Sequence, residues 1–172
     1  MSKGLLIVYT GHGKGKTSAA FGQVLRAAGQ GLRVCVIQFV KARPSGELQA
    51  LTQLGSAVEL HQVGSGFSWR DREMEKFRAS ALAGWQLATA KIASGDHDLV
   101  VLDELTYLVN FAILSADQII ETALARPAGQ HLLITGRDAA PDLIAAADLV
   151  TEMREIKHPF QQGIKAQRGI EF

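Results

Sequence analysis

Four short apolar runs do most to limit how this chain can fold: GLLIVYT (4–10), RVCVIQF (33–39), LVVLDE (99–104) and HLLITG (131–136). Each is strand length and apolar at consecutive rather than alternate positions. A strand of that kind is covered on both faces. Helical patterns separate the runs. Residues 16–30 place Ala20, Val24 and Ala27 on one face, with Phe21, Leu25 and Ala28 beside them. Residues 47–54, 71–93, 115–125 (capped by Ser115) and 141–147 also read as helices. AVELHQV (57–63) reads as a further strand nearer an edge, and DLVTEMRE (148–155) as a last one. The tail, 156–172, is polar and has no strong period. Repeated strand–helix–strand units imply an α/β fold, with a mostly parallel sheet flanked by helices in a single domain over 1–172.

Composition removes several function classes. A formal net charge of +1 gives no global basic field for nucleic acid. Cys35 is the only cysteine, so an internal disulfide and a cysteine metal cluster are both excluded. It lies in VCVIQFV and reads as a buried thiol rather than a reactive one. No stretch approaches the roughly 18 apolar residues of a membrane span. The N-terminus lacks the pattern of a signal peptide, so a cytoplasmic protein is expected.

The chemistry begins at YTGHGKGKTSAAFG (9–22). A P-loop reads G-x-x-x-x-G-K-[ST] between a strand and a helix. Gly15, Lys16 and Thr17 fit its end. Thr10 occupies the first glycine position, and Gly11 and Gly13 follow, so the match is a variant one step off register. Such a loop turns backbone N–H groups onto phosphate oxygens at a helix N-terminus. Lys16 can neutralise phosphate charge and Thr17 can offer its hydroxyl to Mg²⁺. Lys14 and His12 read equally as solvated loop residues.

Asp103 and Glu104 end the run VVLDE, where nucleotide-binding folds place a metal-binding carboxylate. Strand alternation leaves open which of the two faces the metal. They read otherwise as cap and first turn of a helix starting near Glu104. Phe67 and Trp69 sit in the glycine-rich loop GSGFSWR, as a lid over a flat apolar ligand or as core residues. Arg137 follows the strand 131–136, within reach of phosphates or of Asp138 and Asp142, and Lys41 is similarly ambiguous. The mildly basic tail (Arg154, Lys157, Lys165, Arg168) reads as a solvated arm or a ligand contact. His97 and His158 carry no metal-ligand spacing, and no Ser-His-Asp arrangement has support.

Several stretches together resemble one family. TGHGKGKTSAAFG, VIQFVK, GFSW, VVLDELTYLV, LLITGRDAAPDLIAAADLVTEM and KHPFQQGIKAQRGI are similar to the P-loop (RecA-like) ATP:corrinoid adenosyltransferases, over essentially the whole chain. The resemblance implies transfer of the 5′-deoxyadenosyl group of ATP to Co(I) of a reduced corrinoid, with release of triphosphate. It implies Mg²⁺ or Mn²⁺, an external reductant (a flavin or flavoprotein) and a homodimer. It matches Gly11, Gly13, Lys14, Gly15, Lys16, Thr17 and Ser18 to the ATP loop, and Glu104 with Asp103 to the metal-linked pair. Arg137, in TGR, and His12 are added as ATP contacts. Phe67 and Trp69 match the aromatic pair under the corrin. The chain departs from the family in four places, one of them TGRDAAPD, which is less basic after Arg137 than the family sequence. His12 replaces the usual asparagine, the loop after Trp69 is shorter, and the chain starts at the first strand without a preceding helical arm. The competing readings are a P-loop ATPase or kinase attacking the γ-phosphate, and a non-catalytic ATP- or corrinoid-binding protein.

Overall fold

The computed structural model describes residues 3–40, 46–64 and 71–170, with the side chains of 71–73 left out. In chain order the elements are β1 (Leu6–Thr10), α1 (Lys16–Gly29), β2 (Val34–Gln38), α2 (Gly46–Thr52), β3 (Val58–Gln62), α3 (Asp71–Ser94) and β4 (Leu99–Asp103). They continue with α4 (Thr106–Asn110), α5 (Ala116–Leu124), β5 (His131–Thr135), α6 (Pro141–Ala146) and β6 (Leu149–Glu152). Six strands form one sheet in the order β3-β2-β4-β5-β1-β6, and every pair is parallel.

Consecutive apolar residues in the central strands feed two cores, one on each face. On one face Cys35, Ile37, Val100, Leu102 and Ile134 pack with Phe77, Ala81, Ala88 and Ile92 of α3 and Ile119 of α5. On the other, Val34, Val36, Val101 and Leu133 meet Ala20, Phe21, Val24 and Ala27 of α1 and Leu48 and Leu51 of α2. This is the helix face that the 3.6-residue period of α1 picks out. Cys35 is fully buried, and burial pushes its thiol up to about 12. The N-terminus of α5 carries the full capping box: Ser115 accepts from the Gln118 N–H, and Gln118 Oε1 accepts from the Ser115 N–H.

The run 57–63 is indeed an edge strand, β3. The other edge, β6, is exposed at all four residues. One expectation fails locally. No helix begins at Glu104; this residue takes a left-handed conformation (φ 62°), and α4 starts only at Thr106, with Leu105 as its cap. Among the described residues no helix is long and apolar enough to cross a membrane.

Candidate active site at the carboxyl ends of the strands

The crossover from β1 through α1 to β2 passes over β5 and β4, since β1 lies between β5 and β6 while β2 lies beyond β4. The loop 11–15 therefore opens beside the end of β4, at the kind of crevice where open α/β sheets bind ligands. Two glycines have steric reasons to be there. Gly11 has φ 95°, and a Cβ on it would stand 2.4 Å from the Met153 carbonyl oxygen. Gly15 has φ 110° as the residue before α1. A side chain at either position is strained. Gly13 lies against the same strand exit and donates its N–H to the Met153 carbonyl at 2.7 Å. No side chain caps α1, so its first-turn N–H groups face the crevice.

Lys16 is buried, yet its ammonium is not idle. Nζ donates to the carbonyls of Gly11 (2.7 Å) and Gly13 (2.8 Å), which ties the loop to its own lysine. Burial lowers its pKa below the ordinary lysine value; Arg137 adds to the lowering, while Glu104, Asp103 and Asp138 oppose it. Two of the three ammonium donors are thus placed by the loop.

The two carboxylates divide. Asp103 is fully buried and accepts three hydrogen bonds: from Thr17 Oγ1 (2.9 Å) and Thr135 Oγ1 (2.7 Å) on Oδ1, and from Gln38 Nε2 (2.8 Å) on Oδ2. Glu104 donates its N–H to Thr135 Oγ1 at 2.9 Å, which holds it in its left-handed turn. Its side chain lines a cavity of about 250 Å³ together with His12 to Ser18, Tyr107, Arg137, Glu155 and His158. Asp103 stands behind that cavity, against Thr17.

His12 and Asp138 form an exposed ion-pair contact of 2.9 Å, which bridges the loop to the turn after β5. Arg137 is exposed, and its carbonyl accepts from Thr106 Oγ1 (2.6 Å) and Asn110 Nδ2 (3.1 Å), so α4 fixes its backbone. Lys14 and Ser18 are exposed on the cavity wall. Phe67, Trp69 and Lys41 lie outside the described residues. Sequence reasoning missed Gln38, Thr135 and Tyr107. Gln38 and Thr135 stand at strand ends next to that of Asp103, a register that only the strand order makes visible. Tyr107 follows the acidic pair by one helical turn; burial raises its pKa, and the Glu104 charge adds to this.

The family model described as "ATP:corrinoid adenosyltransferase BtuR/CobO/CobP" matches residues 2–172. This chain belongs to that family. It is 45% identical over 171 residues to a corrinoid adenosyltransferase of Pseudomonas aeruginosa, with 99% of this chain and 84% of that protein covered. It is 43% identical over 171 residues to the corrinoid adenosyltransferase CobA of Salmonella typhimurium, with 99% and 86% covered. Among solved structures, the flagellar accessory protein FlaH of Methanocaldococcus jannaschii superposes with a TM-score of 0.59 at 12% identity, covering 88% of this chain and 72% of that one. That likeness concerns the fold alone. The family makes this adenosyltransferase chain a transferase, with ATP and a corrinoid as its substrates.

Proposed function

We propose that the loop, Lys16, Thr17 and Glu104 carry out the family's reaction, transfer of the 5′-deoxyadenosyl group of ATP to the Co(I) of a reduced corrinoid, by stabilising triphosphate as it leaves. The observation that carries this reading is the pairing of a buried, loop-bound Lys16 with a Thr17 hydroxyl anchored on Asp103 at the head of an uncapped helix. As Co(I) attacks the ribose C5′, the C5′–O bond breaks and its electron pair goes to the departing oxygen. The first-turn N–H groups of α1 and the third Lys16 donor bind that growing charge without reorganising. Arg137 binds the far end of the chain of phosphates, and His12, Gly13, Lys14, Gly15 and Ser18 complete the cradle. Co(I) brings no proton, so no general base is needed.

A hydroxyl and carboxylates are the donor set of a hard divalent cation, and Thr17 and Glu104 fit Mg²⁺ or Mn²⁺ on that chemistry, with Asp103 orienting Thr17 from behind. When bound, the cation supplies neutralisation of phosphate charge. The family resemblance assigns Phe67 and Trp69, which lie outside the described residues, to closing the lower face of the corrin; four-coordinate cobalt there would be easier for an external flavin or flavoprotein to reduce. A homodimer is supported by the exposed apolar residues Leu149 and Val150 on the β6 edge. The test is anaerobic incubation with ATP, Mg²⁺ and chemically prepared Co(I) corrinoid. The spectrum of a cobalt–carbon bond with intact triphosphate is expected; ADP and phosphate instead would overturn the reading in favour of attack at the γ-phosphate.

A further inference from the structure

A second group of ligand-type side chains lies away from the nucleotide crevice. Cys35 is three residues before Gln38 on β2, about 10 Å back along the strand. The parallel register sets Cys35 beside Glu59 and Ile37 beside His61, so Glu59 and His61 leave β3 on the face that Cys35 shares. One donor atom from each of the three lies within 4.8 Å of the others. A fourth donor enters from the turn before β4: His97 Nε2 is 2.9 Å from Glu59 Oε2, while His61 Nε2 is 2.8 Å from Glu59 Oε1. His97 is 9% exposed, and its Nδ1 is buried with no hydrogen-bond partner. Around it on this face lie apolar core residues, among them Ile37, Val100 and Ile92.

We propose that Cys35, Glu59, His61 and His97 form a site for a thiophilic first-row divalent cation such as Zn²⁺, separate from the nucleotide site. The donors are one sulfur, two imidazole nitrogens and a carboxylate, the set that suits zinc or cobalt rather than magnesium or calcium. Bonds of about 2.0–2.3 Å place tetrahedral ligand atoms roughly 3.3–3.8 Å apart. For Cys35, Glu59 and His61, closing from 4.8 Å takes about 1 Å of side-chain adjustment, while His97 stands outside that group and joins it through Glu59. Lys91 of α3 stands 2.6 Å from Glu59 Oε1 and fits as the hydrogen-bond donor to a ligating carboxylate, leaving Oε2 for the cation. On binding, Cys35 gives its proton to solvent, and no oxidant or reductant is involved. The competing account is an ion-pair cluster only, in which Glu59 is satisfied by Lys91 and the two imidazoles.

The test uses the full chain, freed of metals by a chelator and kept under a phosphine reductant without oxygen, titrated with Co²⁺ alone. Uptake of one equivalent is expected, with a thiolate-to-cobalt absorption band in the near ultraviolet and the strong visible bands of four-coordinate cobalt, both removed by Zn²⁺. Cys35→Ser should lose the near-ultraviolet band. His61→Gln, at a partly exposed edge-strand position, should weaken Co²⁺ uptake at least about tenfold. ATP binding should be unchanged in both. No uptake at micromolar Co²⁺, uptake without a thiolate band, or bands unaltered in His61→Gln would each overturn the site and leave the ion-pair cluster.

Discussion

At the amino ends of the strands, Arg126 donates to the backbone carbonyls of Ala123, Gly4 (2.7 Å) and Gln130 (3.0 Å), and Asp148 binds Lys3 and the Leu6 N–H (2.9 Å). At the carboxyl ends, Lys16 also donates to carbonyls, but those of its own loop, beside a helix start that no side chain caps. The first end lines the larger cavity, about 400 Å³ against about 250 Å³. Its described cations are nonetheless spent on strand ends and on Asp148, and no helix N-terminus opens there. The comparison teaches that volume does not mark the site. Donors left facing the crevice do, together with a carboxylate pair split between support and cavity.

The largest effect that separates the two ends is expected from Lys16→Ala. Loss of a charge-assisted contact to the triphosphate costs about 1.5–3 kcal/mol, or roughly 10- to 150-fold in ATP affinity. Calorimetric titration measures it, with circular dichroism staying native. The pH profile sharpens the point. Because burial lowers the Lys16 pKa, ATP affinity should decline on the alkaline side earlier than for an ordinary lysine. Normal ATP binding by Lys16→Ala would sink the assignment of this loop.

Arg126→Ala is the mirror experiment. It strands three carbonyls that Arg126 now satisfies, at a cost of about 1–3 kcal/mol in stability. Denaturant unfolding should show this loss while ATP affinity holds. A fall in affinity as large as that of Lys16→Ala would mean that the two ends are not independent.

The third experiment tests the division between the carboxylates. Glu104 lines the cavity, so Glu104→Gln should raise the Mg²⁺ needed for half-maximal ATP binding by roughly three- to tenfold and leave unfolding unchanged. Asp103→Asn should instead lower stability. An amide presents an N–H₂ where Asp103 now accepts bonds from Thr17, Thr135 and Gln38. The opposite ranking would make Asp103 the direct ligand.

Much of this contrast was legible in the sequence. Apolar runs with strand length gave the sheet, Ser115 gave a capped helix, and GKGKT before an alanine-rich helix gave the loop. What sequence could not give depended on strand order. Gln38 and Thr135 meet Asp103 because β2 and β5 flank β4, which no local spacing reports. The role of Glu104 was hidden for a different reason. A positive φ at a glutamate is costly and has no local signal, and it is held by the Thr135 hydroxyl from another strand. The nearness of Cys35 to Glu59 and His61 was equally invisible, because it arises across neighbouring strands and not along the chain.

The smallest effect concerns pH at the amino ends. The hydrogen bond from Lys3, followed by that from the Leu6 N–H, holds the Asp148 pKa below its usual 3.8. A carboxylate with a depressed folded pKa contributes stability that is fully present above its unfolded value and is lost as pH falls through the folded one. Asp148 should therefore help to dock β6 and the start of β1 at neutral pH and cease to do so in acid. Thermal unfolding of wild type and Asp148→Asn, run from about pH 6 down to about pH 3, isolates this contribution, since other carboxylates act on both proteins alike. The Tm gap should be open at pH 6 and narrow steadily below about pH 4. ATP affinity at neutral pH should be the same in both. A gap that stays constant with pH would show that the Asp148 charge does not hold these strand ends, and the contrast between a charge-clamped end and a ligand-facing end would then rest on Arg126 alone.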